Sequence, residues 1–256
     1  MTGAVFGDAE LTDDAFLDGR LRLWQPAAGY RAAADPVLLA AAAPALAGAR
    51  VLDLGCGVLT AGLCLAARVP GIALAGLERQ PAYADLARRN AARNGVTAEV
   101  VTGDVAALPA ALRRPFDLVL LNPPYYTPGD GTPARDAGRE SALREDTPLA
   151  VWLDAAARRV VDGGWLCLIQ DAARLPDVLA ALPGTMGSVA VLPTQPRHDR
   201  PARRIILRAR KGGRAPFRLL APLVLHEGAS HRHDRDDYTP HARAILRDGA
   251  AISAFG

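Results

Sequence analysis

The chain has 256 residues, half of them hydrophobic and 22% charged, a profile that excludes a disordered chain and suits a globular protein with a full core. No apolar run reaches the roughly 18 residues that a membrane span needs. The opening MTGAVFGDAELTDD lacks the basic-then-apolar order of a signal peptide, so a cytoplasmic protein with no membrane partner is expected. Net charge is +3, yet residues 197–218 hold nine basic groups against Asp199 alone, a local +8. Lys211 is the only lysine, so arginine richness by itself says little about nucleic acid.

The first 50 residues read as a segment ending in a helix, DPVLLAAAAPALAG, with Asp35 as its cap and Pro36 in its first turn. From residue 51, strand and helix patterns alternate, the signature of a mainly parallel α/β sheet. VLDLG (51–55), ALAGLE (73–78), AEVVTGD (98–104), FDLVLLN (116–122) and WLCLIQ (165–170) read as strands. Helices are expected at 59–69, 81–94, 148–162 and 172–182, with Pro81 and Pro148 at helix starts and Asn94-Gly95 and Gly163-Gly164 at helix ends.

SVAVLP (188–193) and RRIILRAR (203–210) are joined by a loop too short for a crossover helix and should pair antiparallel. In the second, Ile205, Leu207 and Ala209 alternate with Arg204, Ile206, Arg208 and Arg210. That pattern reads as an edge strand with a wet cationic face, making Arg204, Arg208 and Arg210 candidate phosphate contacts. The whole chain reads as one domain, with a core at 51–210 and an extension at 211–256. Cys56, Cys64 and Cys167 lack CxxC spacing and are expected to be reduced packing residues. His226, His231, His233 and His241 are assigned no metal.

Two stretches carry chemistry. VLDLGCGVLTAG is a strand, a tight Gly-X-Gly turn and a helix. Gly55 and Gly57 let a ligand approach the backbone. The third glycine of a dinucleotide fingerprint is missing, so a nicotinamide cofactor is disfavoured. Glu78 ends the second strand about 20 residues on, where a carboxylate can accept from two ribose hydroxyls; Asp104 ends the third. The other stretch, Asn122-Pro123-Pro124-Tyr125, ends the fourth strand on a stiff backbone, because proline fixes φ and holds the residue before it extended. The Asn122 side-chain oxygen and the Pro123 carbonyl can grip an amino group, and Tyr125 can stack on a planar substrate.

Parallel strands closing on an antiparallel pair resemble the Rossmann-like, seven-stranded class I methyltransferase sheet. The Asp53-to-Gly57 turn resembles the S-adenosylmethionine loop of those enzymes. That resemblance implies Asp53 near the methionine amino group, Glu78 on the ribose and Asp104 on the adenine amine. Leu59 stands where such proteins usually carry glycine, which leads to the expectation that its side chain crowds the methionine end. NPPY resembles the (D/N/S)PP(Y/F/W) motif of amino-methyltransferases. LWQPAAGYRAAADPVLLAAAAP, DLGCG, NPPYY and GRESALREDTPLAVWLDAA together resemble the tRNA(1)(Val) adenine-37 N(6)-methyltransferase family over nearly the whole chain. The resemblance implies S-adenosylmethionine as cofactor and a tRNA adenine as acceptor. The motif does not separate adenine from a release-factor glutamine amide. A non-catalytic RNA-binding protein, its cofactor pocket closed by Leu59, is the reading from outside the enzymes.

Overall fold

The computed structural model describes residues 5–125, 147–228 and 237–256. Tyr126, most of GRESALREDT, His231 and His233 lie outside them. The chain opens with an antiparallel hairpin, β1 (Leu11–Phe16) and β2 (Leu21–Pro26). Between them Leu17, Asp18 and Gly19 turn the chain with positive φ. Helix α1 (Ala34–Ala42) follows, then β3 (Arg50–Leu54), α2 (Thr60–Arg68), β4 (Ala73–Glu78), α3 (Pro81–Arg93), β5 (Ala98–Thr102) and β6 (Phe116–Leu121). After the undescribed segment come α4 (Leu149–Arg159), β7 (Val160–Asp171), α5 (Leu175–Ala181), β8 (Met186–Gln195) and β9 (Arg204–Lys211). Two short strands, β10 (Arg218–Leu219) and β11 (Leu223–Val224), and helix α6 (Pro240–Leu246) complete the described fold.

The main sheet runs β10-β8-β9-β7-β6-β3-β4-β5, with β11 also on β8. Strands β3 to β7 are mutually parallel. β9 runs against both neighbours, so it is inserted between β7 and β8. The expected antiparallel pair is therefore present, but its second strand is interior. This corrects the reading of β9 as an edge. The central strands are apolar on both sides, as a covered parallel sheet requires: Val51, Leu52, Leu54, Val119, Leu120 and Leu121 are fully buried.

Two apolar clusters sandwich the sheet. One joins hairpin, α1, α2, α3 and α6 side chains to Leu118, Leu120, Cys167 and Ile206; the other joins α4 and α5 to Leu52, Leu121, Leu168 and Leu207. The three cysteines are free and buried. At the second helix–strand boundary, β7 begins at Val160, earlier than expected. The β-branched Val160-Val161 pair enters the sheet, and Gly163-Gly164 falls inside an irregularity of the β6–β7 register.

Asp35 does not cap α1. Ala33 is the N-cap and makes no side-chain bond, while Asp35 sits in the first turn with its carboxylate turned toward β9. The other end of α1 is held by two guanidinium groups, that of Arg208 buried and that of Arg68 half-buried. Arg68 Nη2 donates to the Ala40 and Ala43 carbonyls at 2.8 and 2.6 Å, and Arg208 donates to the Ala42 carbonyl. Ala40 also accepts from the Ala43 amide at 3.2 Å, but the last carbonyls of a helix otherwise lack intrahelical donors, and cations are favoured at that pole.

Candidate active site

The four strands that feed the site, β3 to β6, point their carboxyl ends at one edge, where strand-end residues converge by topology. Asp53, Gly55, Gly57, Glu78, Asp104, Asn122, Pro123, Pro124 and Tyr125 line a single cavity there. Tyr30, Thr60 and Trp152, absent from the sequence reading, line it too. Their types, two aromatics and a hydroxyl in Ala-rich helical surroundings, give no periodic signal that would single them out.

At its floor, Asp53 is 2% exposed and accepts from the Gly62 amide at 3.1 Å. Burial pushes its carboxyl up to about 7, and nearby Glu78 adds to the rise. Glu78 is also raised by burial, while its oxygens accept from the Gly57 and Gln80 amides at 3.0 and 2.8 Å. Those bonds lock the Gly-X-Gly turn onto the end of β4 and leave each oxygen further acceptor capacity. One Asp104 oxygen accepts from the Ala106 amide at 2.8 Å, capping a short 3-10 turn.

Gly55 has φ +72°, and a Cβ there would lie 2.8 Å from the Trp152 ring, so no other residue fits between this turn and α4. Leu59 also adopts a left-handed conformation, φ 70° and ψ 25°, which explains why glycine suits that position. Its side chain, however, is fully buried in the core against Gly62 and Gly76 and does not line the cavity. The expected crowding of the methionine end does not occur.

Beside the cavity floor, Asn122 Oδ1 lies 2.6 Å from the Tyr125 hydroxyl, which is 2.8 Å from Asp35 Oδ2. The nearby Tyr30 phenol is pushed up to about 12, chiefly by burial and further by the Asp35 charge. Tyr30 is placed by its own amide, which donates to the Tyr83 hydroxyl at 3.0 Å. The Arg204 guanidinium covers the Tyr125 ring at 4.3 Å.

The three arginines expected to form one cationic face part company. Arg204 is paired with Asp35 and Asp171 at 3.0 Å each. Arg208 is buried under α1 with Phe255 over its guanidinium. Arg210 lies opposite Trp165, toward the other end of β7, and donates to the Gly163 carbonyl. The expected solvent-facing row of phosphate contacts is thus broken: Arg208 is buried, Arg204 is held by two carboxylates, and only Arg210 of the three is exposed, at the end of β9 away from the cavity.

The cavity suits S-adenosylmethionine. Thr60 Oγ1 and Trp152 Nε1 are buried on its lining without a partner among the described residues. Three carboxylates and a backbone turn supply acceptors for an ammonium, a diol and an exocyclic amine.

A family model described as methyltransferase small domain matches residues 34–136. The tRNA1(Val) (adenine(37)-N6)-methyltransferase of Dickeya chrysanthemi is 29% identical over 84% of this chain and 85% of its own length. The release factor glutamine methyltransferase of Deinococcus radiodurans is 34% identical over 64% of this chain, which spans 59% of that relative. A crystal structure of a predicted O-methyltransferase from Agrobacterium tumefaciens is similar with a TM-score of 0.69 at 29% identity, over 85% of this chain and 98% of that one. With acidic strand ends and a Gly-X-Gly turn around a cavity that fits the cofactor, and with residues 34–136 matching the methyltransferase small domain, the chain is an S-adenosylmethionine-dependent methyltransferase.

Proposed function

We propose that the protein methylates the exocyclic N(6) amine of an adenine in tRNA. The observation that carries this reading is the placement of Asn122 to Tyr125 on the same cavity as Asp53, Glu78 and Asp104. Asp53 would meet the cofactor's ammonium, Glu78 its ribose and Asp104 its adenine. When bound, S-adenosylmethionine supplies an electrophilic methyl group. The chain's task is to make a poor nucleophile available, because the lone pair of a ring amine is delocalised. Asn122 Oδ1 and the Pro123 carbonyl accept its two N–H groups, which draws the lone pair out of conjugation. With the cofactor bound, the nitrogen would take the methyl as the C–S bond breaks and its electron pair stays on the sulfur of the thioether product, and the methylated nitrogen would then lose a proton to water. Tyr125 offers its face to the base. A tRNA acceptor agrees with the Dickeya relative and with the expected cytoplasmic location.

Among the basic groups of 197–218, Arg200 and Arg203 lie exposed on the β8–β9 turn, at the same sheet edge as Tyr125. These two replace the β9 arginines as the proposed phosphate contacts.

The test is methyl transfer from radiolabelled S-adenosylmethionine to bulk hypomodified tRNA and, in parallel, to release factor. Label in RNA, recovered as N(6)-methyladenosine, supports the reading. Label in protein alone overturns it in favour of the glutamine reading that the Deinococcus relative represents. Asn122→Ala should lower kcat by about 10² with cofactor affinity near native. Native turnover in that variant would remove Asn122 from the chemistry.

A further inference from the structure

Asp35 is distant in sequence from Asn122 and Tyr125, yet it is joined to the amine site by a continuous chain of contacts. Its Oδ2 lies 2.8 Å from the Tyr125 hydroxyl and 3.0 Å from Arg204 Nε. Arg204 Nη1 reaches Asp171 Oδ2 at 3.0 Å, and the guanidinium covers the Tyr125 ring. The same Tyr125 hydroxyl is 2.6 Å from Asn122 Oδ1. A phenol has one proton and cannot donate to both oxygens at once. Of the two acceptors, the carboxylate is the stronger.

We propose that Asp35 is the positioning residue of the amine site: it accepts the hydrogen bond of the Tyr125 hydroxyl and so releases Asn122 Oδ1 to the incoming amine. This rests on Asn122 being the amine acceptor. Before substrate arrives, the Asn122–Tyr125 bond keeps the amide oriented and satisfied in a largely apolar pocket. When an amine N–H reaches Asn122, the Tyr125 hydroxyl turns wholly to Asp35, and the exchange leaves no buried group unpaired. Without that carboxylate, the hydroxyl would keep hold of Asn122 and compete with the substrate. Arg204 serves twice, fixing Asp35 by charge and holding the Tyr125 ring by its face. The alternative is an ion pair that merely ties α1 to β9, which predicts lost stability and no special link to Tyr125.

The experiment is a double-mutant cycle read on whichever acceptor, tRNA or release factor, takes label. Asp35→Asn should lower kcat by about ten- to a hundredfold while the Kd for S-adenosylmethionine and the KM for the acceptor stay within about threefold of native. In the Tyr125→Phe background no hydroxyl competes for Asn122, so the same change should cost less than about threefold. Equal losses in both backgrounds, or native kcat in Asp35→Asn, would overturn the proposal. If Asp35→Asn does not fold, Arg204→Gln takes its place in the cycle, loosening Asp35 without removing it, and the same two outcomes apply. Asn122→Ala separates the layers: full turnover there defeats the amine reading itself, whereas its inactivity beside a native-like Asp35→Asn defeats only the role of Asp35.

Discussion

Asp53 shows what the site costs the fold. A carboxyl raised from its ordinary 3.8 to about 7 favours the protonated form in the folded chain. Its contribution to stability is therefore full below about pH 4 and lost as pH rises through about 7. Between pH 5 and 8 the ligand-free protein should lose about 2 to 3 kcal/mol through this group alone. Asp53→Asn should abolish that part of the decline, so that thermal unfolding of the variant falls less steeply than native over the same interval. Addition of S-adenosylmethionine should reverse the order, because only the native carboxylate can pair with the cofactor's ammonium. A decline of equal slope in both proteins would show that Asp53 is not the group responsible.

Leu59 carries the opposite lesson. Its left-handed backbone is strained for leucine by about 1 to 2 kcal/mol, yet its side chain fills core volume whose loss costs about 2 to 5 kcal/mol. Leu59→Gly should therefore destabilise the protein by about 1 to 3 kcal/mol and leave cofactor affinity unchanged, measured by chemical denaturation and calorimetry. Tighter binding would mean that the side chain reaches the cavity after all. The motif positions, Asp53 through Tyr125, were legible because their spacing is set by a sheet edge. The direction of the Leu59 side chain was not, since a positive φ turns Cβ away from where a helical frame would put it. Tyr30, Asp35, Thr60 and Trp152 were not legible either. Tyr30 and Trp152 reach the cavity, and Asp35 reaches Tyr125 beside it, by packing between elements far apart in sequence, while Thr60 lies just past Gly57 but carries no signal of its own.

Among elements, α2 to α4 and the parallel strands follow from hydrophobic period and from Pro and Gly punctuation, with boundaries shifted by a few residues. Two elements escaped. The hairpin β1–β2 carries an Asp18-Gly19 turn between alternating runs, a recognised hairpin signal, but Ala-rich sequence just after it drew the segment toward a helical reading. β9 was read as wet because its cations alternate with apolar residues. Alternation shows that two faces differ; it does not show that the polar one meets water, and here α1's terminal carbonyls wait for Arg208. This yields a contrast. Arg208→Ser should cost about 1 to 3 kcal/mol of stability, because it leaves the Ala42 carbonyl with only the weak Cys167 thiol donor, and should not alter the salt dependence of tRNA binding. Arg200→Ser with Arg203→Ser should do the reverse, flattening the slope of log affinity against log salt by about 1.4 to 1.8 at native stability. An unchanged slope in the double variant would remove the β8–β9 turn from the RNA surface.

The hairpin is not an ornament on the sheet. Asn90, fully buried in α3, accepts from the Trp24 amide at 2.8 Å and donates to the Trp24 and Val58 carbonyls at 3.0 and 3.2 Å. One amide thus bridges β2 to the cofactor turn. The consequence is a thermodynamic linkage between the two: whatever steadies Val58 lowers the frequency with which β2 peels away. Hydrogen–deuterium exchange should therefore slow at residues 21–26 when S-adenosylmethionine is added, although none of them touches the cavity, and Asn90→Ala should uncouple that protection from cofactor occupancy. The amino-terminal strand would then report, by the lifetime of its own amide protons, whether the methyl donor is in place.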